Sequence, residues 1–139
     1  MPIEDLARSD VVTASSDASI TDLAATMDSE DVGSIVITEE GSPVGIVTDR
    51  DLAVRVLAGQ TDRAETATDV MSDDLCTIRS GSGFYQAAEL MCEHGVRRLP
   101  VCDAGDELVG IITADDLTEL LADEQQQLAD IIRAQRPPY

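Results

Sequence analysis

The chain repeats itself. Residues 45–52 read GIVTDRDL, and 65 positions later residues 110–117 read GIITADDL. At an offset of 64, VVT (11–13) lies over LCT (75–77), ITDLAATM (20–27) over FYQAAELM (84–91) and VGSIVI (32–37) over VRRLPV (96–101). The offset becomes 65 between EEGSPVG and DAGDELVG, a one-residue insertion at a turn, where a duplicated unit tolerates a length change. The lead-ins correspond as well, Asp5 with Asp69 and Leu6 with Val70. A unit of about 60 residues buries too little surface to be comfortable alone, so the two copies are expected to pack together.

Within each copy the elements are legible. A short strand (Val11–Ala14; Leu75–Ile78) precedes a helix whose apolar residues fall at i, i+3, i+4 and i+7: Ile20, Leu23, Ala24, Met27 and again Phe84, Ala87, Ala88, Met91. Two strands follow, Ser34–Thr38 and Val44–Val47 in the first copy, Leu99–Val101 and Leu108–Ile112 in the second. A second helix starts at each Thr-x-x-Asp. The unit is β-α-β-β-α and the class α+β. Repeat 1 is assigned to residues 1–60, a polar linker to 61–66, repeat 2 to 67–124 and a helical extension to 125–139. The last helix, through Leu117, Leu120, Leu121, Leu128, Ile131 and Ile132, carries more apolar surface than a solvated helix needs. Periodicity leaves open whether it covers the protein's own core or meets a second subunit.

Charge narrows the possible functions. The chain has 28 acidic residues against 9 basic ones, all arginine, for a net charge of −19. Such a surface repels phosphate backbones, and Phe84, Tyr85 and Tyr139 are the only aromatics, too few for a base-stacking platform. Nucleic acid is therefore an improbable partner. Scattered acids without lysine suit a high-salt cytoplasm that screens self-repulsion, although an ordinary acidic protein is the plainer account. There is no basic and apolar leader and no run of membrane-spanning length, so a cytoplasmic protein without a membrane partner is expected. Cys76, Cys92 and Cys102 lack CxxC spacing and read as small buried apolar residues.

The repeated motif has two readings. Thr48 and Thr113 are placed as helix N-caps, with Asp51 and Asp116 three residues on to close a capping box. The same helix start, at the carboxyl end of a strand, attracts phosphate through its free N–H groups. A threonine hydroxyl can bond a phosphate or ribose oxygen, and an aspartate can accept from both ribose hydroxyls.

Two β-α-β-β-α units, each closing on Gly-apolar-apolar-Thr-x-x-Asp, resemble a pair of CBS domains, the module named after cystathionine β-synthase. The resemblance runs from about Ile3 to Ala122 and includes VRRLPV. It implies two pseudo-symmetric repeats packed through their sheets, with two sites for an adenosine-containing ligand (AMP, ADP, ATP or S-adenosylmethionine) in the cleft between them. It further implies that Asp51 and Asp116 hold ribose, with Thr48 and Thr113 beside them, and that Thr13, Thr77, Val32 and Val96 flank the base. Edge-of-core packing is the plainer account of the two valines. Disc-like homodimers and an effector protein, unidentified here, also come by resemblance.

The copies differ where phosphate should lie. Copy one has Arg50 inside the motif and Gly33–Ser34 before its strand; copy two has Arg97–Arg98 before its strand and Ala114–Asp115 inside the motif. Three arginines of nine near the inferred sites suit phosphate recognition, though they could equally pair with surface acids. Unequal sites are expected, one of them empty or structural.

No catalytic constellation is present. His94, the only histidine, sits at a helix end, and neither a Walker loop nor GxGxxG occurs. The chain reads as a non-enzyme with no required cofactor: a stand-alone sensor of an adenosine ligand, or an assembly module whose motifs are only caps. Cation binding by surface carboxylates is a weaker third reading.

Overall fold

A computed structural model of the chain describes residues 2–59, 65–72 and 74–137; of the linker expected at 61–66, residues 61–64 lie outside them. After a 3-10 turn, Ile3–Asp5, the first copy folds as β1 (Thr13–Ser15), α1 (Ile20–Glu30), β2 (Ser34–Glu39), β3 (Ser42–Thr48) and α2 (Asp49–Asp51). A π-helical stretch, Leu52–Leu57, continues α2. The second copy is α3 (Ala67–Val70), β4 (Ile78–Arg79), α4 (Phe84–His94), β5 (Arg98–Cys102), β6 (Leu108–Thr113) and α5 (Ala114–Gln135). Each copy builds a three-stranded sheet, β1-β2-β3 and β4-β5-β6, with the first pair parallel and the second antiparallel.

The sequence insertion falls where a turn absorbs it. β2 and β3 are joined through Glu40 and Gly41, both at positive φ, the tight turn of a twisted hairpin. Between β5 and β6 the longer turn is tied by Asp103, whose Oδ1 accepts from the N–H groups of Gly105 and Glu107 at 2.9 and 3.0 Å. The first strands are shorter than Val11–Ala14 and Leu75–Ile78: regular pairing starts only at Thr13 and Ile78. The residues just before them, Val11–Val12 and Leu75–Cys76, line the clefts between the two copies, with the Val12 carbonyl still accepting from the Val36 N–H at 3.0 Å.

Two cores form, one beneath each sheet. The first gathers Leu23, Met27, Ile35, Ile37 and Val47; the second gathers Ile78, Ala87, Met91, Leu99, Val101, Ile112 and Leu117. These are the helical i, i+4 positions and the alternate strand positions that the pattern predicts. Val36 and Pro100, matching residues of the central strands, are also buried but belong to neither core. Strand alternation puts them on the opposite faces of their sheets.

The lead-ins are exchanged. Ile3 is buried in the second core, whereas Ala67 and Val70, from the start of the second copy, are buried in the first. The Ile3 N–H donates to the Ser82 carbonyl at 2.7 Å, and the Ala67 N–H donates to the Ala18 carbonyl at 2.9 Å. Further on, Arg8 and Ile111 exchange two backbone bonds of 2.9 Å, and Ser72 and Ile46 exchange two of 3.0 and 3.2 Å. α3 is fastened by Asp69, whose Oδ2 accepts from the N–H groups of Glu65 and Thr66 at 2.8 and 3.0 Å. Those two bonds hold its carboxyl below the usual range. A repeat read along the sequence is therefore not a packing unit, since each borrows its opening residues from the other.

This crossing explains the glycine of both motifs. A Cβ at Gly110 would lie 2.9 Å from the Arg8 carbonyl oxygen and 3.2 Å from Ala7 Cβ. At Gly45 it would meet Met71 Sδ at 2.5 Å and the Ser72 carbonyl oxygen at 3.0 Å. Only hydrogen fits beneath the passing backbone.

One expectation is corrected and one open alternative is narrowed. Cys102 is buried and Cys76 partly so, but Cys92 is exposed, since it lies on the outer side of α4. Beyond buried Leu117, α5 carries Leu121, Leu128, Ile131 and Ile132 at 51–62% exposure, so this face does not cover the protein's own core.

Gly110→Ala is expected to lower stability by about 1–3 kcal/mol through overpacking against a backbone carbonyl. Gly45→Ala should cost less, because the Met71 side chain can rotate away. Urea unfolding midpoints of the two variants check the order.

Candidate functional site

Both motifs start their helices as complete capping boxes. Thr48 Oγ1 accepts from the Asp51 N–H at 3.1 Å, and Asp51 Oδ2 accepts from the Thr48 N–H at 2.9 Å. The second motif repeats this at 3.2 Å (Asp116 N–H to Thr113 Oγ1) and 2.9 Å (Thr113 N–H to Asp116 Oδ2). The next N–H is also held, Asp49 donating to the Gly33 carbonyl at 3.0 Å and Ala114 to the Arg97 carbonyl at 2.8 Å. Each cap consumes one carboxylate oxygen and leaves Oδ1 for something else. Asp51 Oδ1 has Arg55 Nε 3.8 Å away, beyond hydrogen-bond distance. Asp116 Oδ1 accepts from Arg8 Nη2 at 3.2 Å.

Two clefts lie between the copies, and each takes its motif from one copy and its other wall from the other. The first, of about 390 Å³, is lined by Ile46, Thr48 and Asp51 from copy one and by Ser72, Asp74, Leu75, Cys76, His94, Val96, Arg97 and Arg98 from copy two. The second, of about 450 Å³, sets Ile111, Thr113, Asp115 and Arg98 against Arg8, Asp10, Val11, Val12, Val32, Gly33 and Ser34, with Glu30 and Asp31 at its edge. Both have the size of small-molecule sites. Position by position the walls correspond, Ser72 with Arg8, Asp74 with Asp10, Leu75 with Val11, Val96 with Val32 and Arg97 with Gly33.

The crossing of copies decides which arginine meets which motif. Arg97 and Arg98, from copy two, share the first cleft with Thr48 and Asp51. The first cleft balances two arginines against two aspartates; the second sets two arginines against four carboxylates. Arg97 also lies 3.6 Å from Asp115, but both side chains are more than three-quarters exposed, so the pair is weak and easily parted. Val32 and Val96 line the second and first clefts respectively. Arg50 is exposed and lines neither. Thr13 and Thr77 are likewise exposed and lie outside both, because the strands begin at or after them and the extended residues just upstream line the clefts instead.

Several lining residues were not singled out from the sequence: Arg8, Ser72, Ile46, Ile111, Cys76 and His94. The repeat alignment pairs Arg8 with Ser72, but only the exchange of lead-ins carries them to the motifs of the opposite copy. Burial, with the charges of Asp74 and Glu93, pushes the Cys76 thiol up, so it is protonated at neutral pH and a poor nucleophile. Among the described residues no group of three or more His, Cys, Asp or Glu side chains is placed to hold a metal ion. None of their helices is long and apolar enough to cross a membrane.

Comparison with known proteins matches this arrangement. A family model described as the CBS domain matches residues 3–58 and again 67–123. The uncharacterized protein MK0525 of Methanopyrus kandleri is 34% identical over 85% of this chain, which spans 61% of that relative's length. The CBS domain pair of protein MJ0100, solved in complex with 5′-methylthioadenosine and S-adenosyl-L-methionine, superposes with a TM-score of 0.79 at 26% identity, covering 89% of this chain and 98% of that one. The CBS domain protein PAE2072 from Pyrobaculum aerophilum, complexed with AMP, gives a TM-score of 0.74 at 26% identity, with 84% and 89% covered.

Removing either cap hydroxyl, by Thr48→Ala or Thr113→Ala, should cost about 0.5–2 kcal/mol of stability whatever the ligand state. Denaturant unfolding of the ligand-free protein measures it.

Proposed function

The chain belongs to the CBS-domain family, and on that premise we propose that it is a regulatory module that binds an adenosine-containing ligand in the first cleft and signals the bound state to a partner protein. One observation carries the reading. Arg97 and Arg98 come from one copy and the Thr48–Asp51 cap from the other, yet they line one cleft. The cap leaves Asp51 Oδ1 for ribose hydroxyls, and the guanidinium groups supply the planar donors that suit phosphate. AMP fits this division better than S-adenosylmethionine, whose sulfonium gains nothing from two arginines. The AMP and S-adenosyl-L-methionine complexes of the similar structures support the ligand class.

A thermal-shift series with AMP, ADP, ATP and S-adenosylmethionine in molar salt tests the reading. A ligand at 100 times its Kd should add about 2.7 kcal/mol of stability. AMP should raise the melting point of the wild type and do so much less in Arg97→Ala/Arg98→Ala. No response to any of the four would leave the motifs as caps of an assembly module and sink the sensor reading.

We also propose a homodimer formed through α5. Its exposed stripe, Leu121, Leu128, Ile131 and Ile132, is apolar surface on a helix of 22 residues, roughly 33 Å long. A second copy presenting the same stripe covers it two-fold, the symmetry most dimers adopt. Sedimentation velocity in molar salt should give a dimer for the wild type and a folded monomer for Leu128→Glu/Ile132→Glu; a wild-type monomer would refute the assembly.

A further inference from the structure

We propose that Arg8 is an internal counter-ion that closes the second cleft to ribose, so that the chain takes one nucleoside where its duplicated architecture offers two sites. The inference rests on reading the clefts as nucleoside sites, and it names what makes them unequal.

The two clefts provide their own control. Arg8 and Ser72 are equivalent residues: each is the last of an exchanged lead-in, and each is held by two backbone bonds to the isoleucine two positions before the motif threonine. The backbone is thus in the same place in both clefts and the side chain alone differs. In the first cleft Ser72 makes no bond to Asp51, whose Oδ1 has no partner within hydrogen-bond distance among the described residues. In the second, Asp116 is not among the lining residues; Arg8, which is, covers it and donates to its Oδ1 at 3.2 Å. The cap already occupies Asp116 Oδ2, so both oxygens of that carboxylate are engaged by the protein itself.

A ribose diol that takes both acceptor sites of Oδ1 must displace Arg8, which holds one of them. The exchange is unfavourable, because a guanidinium–carboxylate bond is charge-assisted on both sides and a hydroxyl donor is neutral. The Asp116 side chain is 10% exposed, while the Arg8 side chain is 64% exposed and reaches in from the rim. Asp10, Glu30, Asp31 and Asp115 line the same cleft, and they oppose an anionic phosphate that would draw the guanidinium away. Arg8 is therefore a specificity residue of the second cleft and no part of the first.

Arg8→Ser gives the second cleft the side chain that the first carries, and Arg8→Gln removes the charge while keeping most of the stem. The probe is 5′-methylthioadenosine, which has the ribose hydroxyls and no phosphate, with AMP titrated in parallel; calorimetric stoichiometry is the readout. The wild type should bind one 5′-methylthioadenosine per chain, and both variants two. Adding Asp116→Asn to Arg8→Ser should return the number to one. A wild type that binds two, or variants that both stay at one while the wild type binds one, would overturn the role of Arg8 and leave the nucleoside reading standing. Absence of binding of either compound by any form would remove both. Weaker binding in the second cleft of the variants than of the wild type would show Arg8 to be a ligand contact and would also overturn the inference.

Discussion

The structure depends on the reciprocal exchange of the two lead-ins. A β-α-β-β-α unit of this size leaves an incomplete core, and each copy completes its own with residues borrowed from the other: Ile3 for the second, Ala67 and Val70 for the first. The backbone bonds at Arg8–Ile111 and Ser72–Ile46 then fix how far each lead-in runs. Because these contacts join residues far apart in sequence, neither core is complete before both copies are in place. The two motif glycines are the sequence trace of this crossing, since a side chain at either would strike the passing strand of backbone.

The same crossing makes the clefts composite. A motif from one copy faces the lead-in and the pre-strand residues of the other, so a ligand bound there would touch both copies. On the proposed reading the Thr-x-x-Asp unit serves stability and recognition together, because a carboxylate has two oxygens. One completes the cap, at 2.9 Å from the threonine N–H in both copies, and the other is left to a ligand or to an arginine. In a chain of net charge −19, the placement of nine arginines decides where an anion can settle. Arg97 and Arg98 balance the first cleft, and Arg8 is spent on Asp116 in the second.

The duplicated unit, the helix periodicity, the caps and the turn that absorbs the insertion were all legible in the chain, because each is a local signal with a fixed spacing. Leu23–Met27 and Ala87–Met91 are buried as the i, i+4 pattern requires. The first strands were placed too early, since Val11–Val12 and Leu75–Cys76 have strand composition but line clefts, and Thr13 and Thr77 consequently fall outside them. Arg50 looked like a phosphate ligand from its place inside the motif, yet its side chain stands in solvent.

By itself the sequence determined the family-like unit, its duplication and the residues at each helix start, because periodicity and capping act over a few positions. Only the tertiary structure decided that the copies exchange their lead-ins, that Arg97 and Arg98 line a cleft with the motif of the other copy, and that Arg8 reaches Asp116 across 108 residues. Alignment pairs like with like; packing pairs each element with its opposite, and no spacing along the chain records that choice.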